Sequence, residues 1–491
     1  MIGVDFEFLH RLRSIDWKGS TLMDILQWIE NNKDKFTGMS DQIWDFAEIG
    51  FTEERSSALQ AKAFEEAGFR VQKNIADIPT AFIASYGQGK PVIAILGEFD
   101  ALPGLSQESV PHPQPRVSGG NGHGCGHNLL GTAGVAATLA MKQAIEAGDI
   151  TGTIRYYGCP AEENGAAKTF MVKAGAFNDV DLSLCWHPDS YNAVLTINAL
   201  AVIMVGFRFH GKAAHAAFDP YNGRSALDAV ELMNVGANYL REHIIPDGRL
   251  HYVITNGGGT APNVVPPFAE SKYYVRAPLL GQADEIYQRL VDIAKGAALM
   301  TGTEMEIVNK KGMSNLLLNK TINNVFYEKM MEIGAPRFSA DEIQFAHEIA
   351  GTYSRDEAEK ILVKIYGKEA QAVLAEMKAD PLFTSVMPNV ESDYVLPGST
   401  DVGDVSWVVP TGQISTTCQA FGTPGHSWQI VAQSGMGIGH KGMLYAGKVM
   451  GLAAMEFMKK PERLRAAKEE FEQSIKKTPY VLPIADGVTP F

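Results

Sequence analysis

The sequence predicts an α/β fold, in which a mixed, mostly parallel sheet carries helices on both faces and a smaller ferredoxin-like α+β unit is inserted. Two observations predict this architecture. Apolar, strand-like runs alternate with helical patterns in the first 198 residues, and this alternation is typical of a sheet with parallel strands. Between residues 199 and 315 the order of patterns changes to βαββαβ, which is the split βαβ arrangement.

The first part of the chain, residues 1–198, contains three apolar runs typical of buried strands. These runs are residues 91–100, 151–160 and 179–188. Two helical patterns lie among them, at residues 128–147, which Gly148 ends, and at residues 165–177. In such sheets functional groups collect beyond the carboxyl ends of the strands. Carboxylate and imidazole side chains follow each of the three runs, so we expect a site at this edge.

The inserted unit is predicted at residues 199–315, and the second part of the main domain at residues 316–491. The six elements of the unit are a strand at 201–211, a helix at 224–244, strands at 250–256 and 268–278, a helix at 284–300 and a strand at 303–310. The second part begins with a helix at 320–333 and includes a helical insertion at about 336–394. A Gly- and Pro-rich segment at 397–440 and a charged helix near the C-terminus follow.

Composition excludes several classes of function. The 491 residues carry 43 Lys and Arg against 56 Asp and Glu, a formal charge of −13, whereas nucleic-acid binding needs clustered cations. The first 17 residues mix charges without an apolar signal region. The most apolar later stretch, residues 128–145, contains Lys142 and is too short for a membrane span. We expect a cytoplasmic protein whose four cysteines form no disulfide framework.

The densest group of possible metal ligands lies in SGGNGHGCGHN, residues 118–128. Cys125 and His127 cannot share one face of a helix, because neighbours on a helix are three or four residues apart. In a loop just before a helix, both side chains can point the same way. The alternative is a glycine-rich turn whose histidines are incidental.

Further possible ligands follow the later strand-like runs. Glu162 and Glu163 are adjacent carboxylates that repel each other unless a cation neutralises them, although a solvated pair is the alternative. His187 and His426 are single histidines that could instead be hydrogen-bonded structural residues. The N, S and O donors together are Cys125, His127, Glu163, His187 and His426. Five donors suit a two-metal hydrolytic site, with Glu162 left as general base.

The segments NGHGCGHN, CPAEENG, WHP, GKAAHAA and GTPGHSW together resemble the dinuclear metallo-exopeptidase and aminoacylase (amidohydrolase) family. The resemblance runs from about residue 38 to beyond 450. It implies a zinc-exopeptidase-like fold and two divalent metal ions per chain, zinc or manganese, with cobalt also possible. It also implies that the five donors named above are the ligands and that Glu162 is the catalytic base.

The same resemblance implies roles for residues outside the ligand set. His215, in the inserted unit, would reach into a partner subunit's active site and polarise the scissile carbonyl. Asn263 and Arg276 match positions that bind the substrate's carboxylate, with Arg224 as a further candidate; the alternatives are a turn asparagine and a solvated strand arginine. Asp100 would not bind a metal itself but would orient one of the metal ligands.

The expected reaction is hydrolysis of an N-acyl amino acid, with p-aminobenzoyl-glutamate as the leading substrate. The alternatives are an N-acyl-amino-acid amidohydrolase or dipeptidase of other specificity, or a metal-binding subunit that needs a homologous catalytic partner. The resemblance implies a homodimer through the inserted unit or a heteromer with a homologous chain, and no membrane partner.

The chain departs from the family pattern at three places. Glu98 stands where many relatives carry a histidine ligand, and Asn128 stands where one branch often has Asp. The region at about 336–394 has no counterpart in shorter relatives.

Overall fold

The computed structural model describes residues 21–491. The mixed-charge segment at residues 1–17, which we expect not to be a signal region, lies outside the described residues. Among residues 21–491, no helix has both the length and the apolar character needed to cross a membrane.

The elements are numbered in chain order. The first part contains α1 Thr21–Asn31, α2 Lys33–Phe46, α3 Glu54–Glu66, β1 Arg70–Ile75, β2 Ile78–Gln88, β3 Val92–Glu98, α4 His127–Glu146, β4 Gly152–Cys159, α5 Glu162–Gly165, α6 Ala167–Lys173, β5 Leu182–Asp189, β6 Ala193–Val194 and β7 Asn198–Ala199. The inserted unit contains β8 Ala201–His210, α7 Ala226–Leu240, β9 Arg249–Asn256, β10 Phe268–Ala277, α8 Leu280–Thr301 and β11 Glu304–Met313. The second part contains α9 Lys320–Ile333, α10 Ala340–Ala350, α11 Asp356–Tyr366, α12 Ala370–Ala379, β12 Val395–Leu396, α13 Val402–Ser406, β13 Thr411–Thr417, α14 Trp428–Ser434, α15 Gly437–Lys459 and α16 Pro461–Lys477.

The central sheet has seven strands in the order β1-β2-β4-β3-β5-β13-β6. Its four central strands, β4, β3, β5 and β13, run parallel, and antiparallel pairs complete both edges. Every residue of β3 is buried, as expected for a strand covered on both faces. The predicted α/β class is therefore confirmed.

Besides the two-residue edge strand β6, two regions of the central sheet were not predicted as strands. The Gly- and Pro-rich segment at 397–440 contains β13, whose sequence TGQISTT has few apolar residues although most of the strand is buried. The β1–β2 hairpin is the other, and β1 is largely exposed. Both lack the continuous apolar run that identifies a parallel core strand.

Helix α4 links the sheet to the site. Nearly all of its residues are buried, and it packs in the same apolar cluster as α15 and β3. A Cβ atom at Gly131 would lie 2.5 Å from the carbonyl oxygen of Glu98, so only glycine lets the helix approach the strand this closely. The close approach brings the start of α4 next to the carboxyl end of β3.

The inserted unit has the expected βαββαβ order. Its four antiparallel strands are arranged β11-β8-β10-β9, and α7 and α8 cover one face to form a separate apolar cluster. The domain limits at 198/199 and 315/316 stay predictions. In the helical insertion, α10, α11 and α12 belong to two further apolar clusters.

Candidate active site

The parallel strands place several candidate side chains at one edge of the central sheet. Glu98 ends β3, the pair Glu162–Glu163 follows β4, and His187 lies near the end of β5. Because β4, β3 and β5 are neighbours, their carboxyl ends meet. Cys125 and His127 reach the same place at the start of α4, and His426 reaches it from the loop between β13 and α14.

Left-handed backbone conformations shape the turns that hold these side chains. Gly126, between Cys125 and His127, has φ 76°, and glycine adopts this region freely. Ala161, just before the helical turn α5, has φ 51°, and His426 has φ 51° as well. Non-glycine residues adopt this region at a cost of about 1–3 kcal/mol, which the surrounding contacts must offset.

The five predicted ligands come together in two clusters that share one residue. Cys125, His127 and His187 form the first cluster, and Cys125, Glu163 and His426 form the second, with the ligand atoms of each cluster within 4.8 Å of one another. The Cys125 Sγ atom lies 3.3 Å from His187 Nε2, and His426 Nε2 lies 3.2 Å from Glu163 Oε2. A third cluster joins Glu98, His127 and Glu162.

The donor set fits divalent cations. His127 Nε2 and Glu163 Oε1 are buried without a hydrogen-bond partner, which is rare for polar atoms unless an ion or water completes the site. Thiolate, imidazole and carboxylate donors suit zinc, and carboxylates also suit manganese. The predicted ligands thus have donor chemistry that suits a metal, and two of their buried atoms have no hydrogen-bond partner.

The electrostatics of the two central histidines differ. Burial, and then the charge of His127, lower the pKa of His187 to about 4, so its ring is neutral and can donate a lone pair at pH 7. Burial alone would lower the pKa of His127, but Cys125 and Asp100 outweigh it and hold the pKa well above the usual value. A cation that binds His127 Nε2 therefore displaces a proton.

Asp100 fixes two candidate ligands at once. His127 Nδ1 donates a hydrogen bond to Asp100 Oδ1 at 2.8 Å, and the backbone N–H of Glu163 donates to Asp100 Oδ2 at 3.0 Å. Burial would raise the pKa of Asp100, but His127 holds it below the usual value. The carboxylate thus holds the His127 ring and the Glu163 backbone, and its role in orienting a metal ligand stays a prediction.

Sequence analysis did not identify a buried lysine behind the site. The Lys168 ammonium contacts Glu98 Oε1 and Asp401 Oδ1, each at 2.6 Å, and the lysine side chain is 0% exposed. The other oxygen of Glu98 lies 3.3 Å from His127 Nε2. Glu98 therefore does not simply replace a histidine ligand, because half of its carboxylate is held by Lys168.

Glu162 lies where its protonation state can change. Burial, and then the charges of Glu98 and Asp401, raise its pKa well above the usual value, while Lys168 opposes the rise. A carboxyl group with a raised pKa can both accept and deliver a proton near neutral pH. This environment is suited to the predicted general base.

His215 and Asn263 lie side by side in the inserted unit. The two segments form a short bridge at His215 and Val264, and the backbone N–H of Ala216 donates to the Asn263 carbonyl at 2.9 Å. Both side chains are exposed, and neither belongs to a donor cluster of the described residues. The structure therefore brings the two residues together on the surface of the inserted unit.

The two candidate arginines occupy different surroundings. Arg276 is half-buried and donates from Nη1 to Ser399 Oγ at 2.6 Å, so it is not a freely solvated arginine. Arg224 is exposed and donates to the carbonyl groups of Tyr221 and Gly223 in its own loop. The side chain of Asn128 is held by two hydrogen bonds, which its amide donates to the Ser40 hydroxyl and to the Ser434 carbonyl group.

The helical insertion supports the loop that carries His426. The Tyr353 hydroxyl, in the turn after α10, lies 3.2 Å from the Phe421 carbonyl oxygen and 3.0 Å from Thr423 Oγ1. Arg355 packs against Gly422 in the same loop. No sequence pattern links this insertion to the site, so the contact could not be predicted.

Comparison with known proteins identifies a family and several proteins that are similar to this chain. Residues 94–391 match the profile of Peptidase family M20/M25/M40. The chain is 46% identical to one of the subunits of the p-aminobenzoyl-glutamate hydrolase of Escherichia coli (strain K12), over 94% of this chain and 97% of the relative. It is 31% identical to an Xaa-Arg dipeptidase of Mus musculus, over 64% of this chain and 72% of the relative. The solved structure of an aminobenzoyl-glutamate utilization protein of Klebsiella pneumoniae has a similar fold, with a TM-score of 0.60 and 17% sequence identity. The match covers 88% of this chain and 98% of that protein.

Proposed function

The chain belongs to peptidase family M20/M25/M40 and is a hydrolase of amide bonds, and on that premise we propose that it cleaves p-aminobenzoyl-glutamate to p-aminobenzoate and glutamate. The observation that carries the proposal is the pair of donor clusters that share Cys125 and adjoin Glu162. The substrate is proposed from the relative that is 46% identical over nearly its whole length.

We assign two divalent ions per chain to these clusters, zinc or manganese, with cobalt as a further option. Cys125, His127, Glu163, His187 and His426, the members of the two clusters, would hold these ions. When bound, the ions polarise the amide carbonyl and make water more acidic. Asp100 keeps the His127 ring in the orientation that presents Nε2.

The proton transfers are assigned to Glu162. Its carboxylate takes a proton from the attacking water, and the same group then delivers that proton to the leaving amine. Lys168 and its two carboxylates lie beside Glu162 and set its charge environment. In this assignment, Glu162 contacts the reacting atoms and Lys168 acts through it.

His215 is assigned to the oxyanion. The backbone N–H groups of Ala217 and Phe218 donate to His215 Nδ1 at 3.2 and 3.1 Å, so the neutral ring carries its proton on Nε2. That N–H would donate to the developing negative charge of a substrate in a second protomer. Asn263 lies beside it, and we assign Asn263 and Arg276 to the substrate's carboxylate.

A partner chain is part of the proposal. The inserted unit exposes large apolar side chains, among them Phe218 at 86% and Tyr239 at 75%, and its edge strand β9 exposes Val253 and Ile254. Contiguous exposed apolar surface is typical of an interface. We propose a homodimer through this unit or, because the E. coli relative is named as one subunit of a hydrolase, a heteromer with a homologous chain.

The direct test is an assay of the purified chain, alone, after loading with zinc or manganese. We expect release of p-aminobenzoate from p-aminobenzoyl-glutamate, no release after chelation, and about two metal ions per chain by elemental analysis. A metal-loaded chain that hydrolyses no N-acyl glutamate, either alone or with a homologous chain, would refute the proposal.

Shared active sites are tested by mixing two inactive variants. Glu162→Gln lacks the base, and His215→Ala lacks the group expected to act across the interface. Unfolding and refolding the two together forms mixed dimers in which one site has both native residues, so activity should return. Mixtures that stay inactive while forming dimers would place His215 outside the partner's site.

A dipeptidase is the second candidate, because the mouse relative that is 31% identical is an Xaa-Arg dipeptidase. A panel of aminobenzoyl-, benzoyl- and acetyl-glutamates and of dipeptides ending in arginine separates the two. Preference for the dipeptides in kcat/KM would favour the second candidate.

A further inference from the structure

One face of the inserted sheet carries a row of cations. Residues directly opposite each other in antiparallel strands point to the same face. Tyr274 on β10 and Lys311 on β11 both lie opposite Met204 on β8, and Lys272 and Arg276 lie two residues to either side of Tyr274. Helices α7 and α8 cover the other face. Lys272, Arg276 and Lys311, which we call the cation strip, therefore share the face that the helices leave open.

The cation strip has no carboxylate partner among residues 25–491, whose side chains the structure describes: no Asp or Glu oxygen there lies within 4.0 Å of its three charged groups. The neighbouring Arg208 on the same face is neutralised by Glu270 at 2.6 Å. Burial, and then the charge of Lys272, lower the pKa of Lys311, so the two ammonium groups are close enough to repel each other. Lys311 and Arg276 thus have no counter-charge beside them, whereas Lys272 lies near Glu270, whose pKa burial would raise but Arg208 and then Lys272 lower. Cations without counter-charges are typical of a site for an anion.

The strip borders the active site at two points. Lys311 Nζ donates to the carbonyl oxygen of Gly165 at 3.2 Å, and Gly165 ends the helical turn that carries Glu162 and Glu163. Arg276 donates to Ser399, two residues before Asp401. Met204, between the strands that carry the lysines, packs against Ala166. Two cations of the strip, Lys311 and Arg276, therefore contact segments that adjoin the donor clusters.

Resting on the proposed function, we propose that Lys311 and Lys272 bind the side-chain carboxylate of an acidic leaving amino acid, while Arg276 binds its main-chain carboxylate. From the strand spacing, the backbones of Lys311 and Arg276 are about 12 Å apart, a distance that two long side chains can bridge. Arginine presents a planar fork and lysine a flexible point charge. The two lysines are thus specificity-determining residues, and they select glutamate over a neutral amino acid of the same shape.

The test compares p-aminobenzoyl-glutamate with p-aminobenzoyl-glutamine. The native protein should prefer the glutamate substrate, and Lys311→Met should raise KM for that substrate about tenfold, the loss expected for one charge-assisted hydrogen bond. KM for the glutamine substrate should not change, and Lys311→Arg should restore most of the preference. Lys310→Met is the matched control, because Lys310 lies on the same strand but faces α8 and pairs with Asp284 at 3.1 Å.

Two results would overturn the inference: an unchanged glutamate-to-glutamine ratio in Lys311→Met, or an equal loss on both substrates. Calorimetry of free glutamate and free glutamine on metal-free protein gives a readout independent of hydrolysis. A native preference for glutamate that disappears in Lys311→Met supports the cation strip even if neither aminobenzoyl substrate is cleaved, which would refute only the proposed reaction. Equal binding of the two amino acids by the native protein would overturn the strip itself.

Discussion

The buried lysine behind the active site gives the sharpest prediction about stability. Lys168→Met keeps most of the side-chain volume but removes the ammonium group that contacts Glu98 and Asp401 at 2.6 Å each. Burial alone would lower the pKa of Lys168, but Asp401 and Glu98 hold it well above its usual value. The lysine is therefore charged in the native protein, and its removal leaves two carboxylates facing each other.

The expected magnitude follows from how completely the three groups are enclosed. The side chains of Lys168 and Asp401 are 0% exposed and that of Glu98 is 5% exposed, so water cannot replace the lost ammonium. Removing one partner of a buried ion pair lowers the free energy of unfolding by about 3–5 kcal/mol. This is a large share of the total stability of a typical domain, about 5–15 kcal/mol.

The assay is urea unfolding at pH 7 of Lys168→Met, with Lys173→Met as the control because Lys173 is exposed at the end of the same helix. The double variant Lys168→Met/Asp401→Asn removes one of the two carboxylates, so it should lose less stability than Lys168→Met alone. A loss below about 1 kcal/mol in the single variant, within the usual range for a surface change, would refute the reasoning. A double variant whose loss equals the sum of the single losses would also refute it.

Two further predictions concern other contacts of the fold. Burial would raise the pKa of Asp181, but Lys468 and the Val92 N–H hold it below the usual value. The Asp181 carboxylate therefore contributes fully to the free energy of unfolding above the pKa of aspartate in the unfolded chain, about 4. This contribution is lost as the pH falls through the lowered pKa of Asp181 in the folded protein. Asp181→Asn should lower the free energy of unfolding by about 1–2 kcal/mol at neutral pH. The value is modest because the lysine partners are partly exposed. If urea titrations at about pH 2 still show this difference between the native protein and the variant, the prediction is contradicted. Tyr353→Phe removes the hydroxyl group that contacts the loop carrying His426. We expect the affinity for zinc, measured by competition with a chelator, to fall about tenfold. An unchanged affinity would show that the helical insertion does not position His426.

The fold was predictable where a local pattern determines the structure. The buried run that ends at Glu98 and the helix that begins near His127 were placed within a few residues, because continuous apolar runs and glycine stops are local signals. Strand β13 was missed because its Thr and Ser residues, buried between two other strands, do not form an apolar run. Its place in the sheet depends on tertiary pairing with β5, which no local pattern encodes.

Part of the candidate site, the set of ligand residues, was predicted from the sequence, and another part, the buried Lys168, was not. Cys125 and His127 lie in one short Gly-rich segment and Glu163 lies beside Glu162, whereas His187 and His426 are single histidines that the resemblance to a family adds to the set. The structure brings all five together. Lys168 lies in an apolar helical segment, AKTFMVK, and its partner Asp401 is 233 residues away. A fully buried lysine implies a carboxylate partner, but the sequence does not indicate which one.

The cysteines illustrate how much composition can say. The sequence predicts one ligand, Cys125, and three buried structural thiols, and the other three cysteines are indeed buried. Burial raises the pKa of all four thiols, that of Cys125 included, so the thiol pKa does not set Cys125 apart. Only Cys125 lies in the donor clusters of the described residues.

The central claim is that Glu162 transfers the proton in a metal-dependent hydrolysis. The most direct measurement is the kcat of Glu162→Gln on p-aminobenzoyl-glutamate, together with metal content by elemental analysis, because glutamine keeps the size of the side chain but cannot accept the proton. The account predicts unchanged metal content and a kcat lower by about 10²–10⁴-fold. A variant with full metal content and near-native turnover would contradict it.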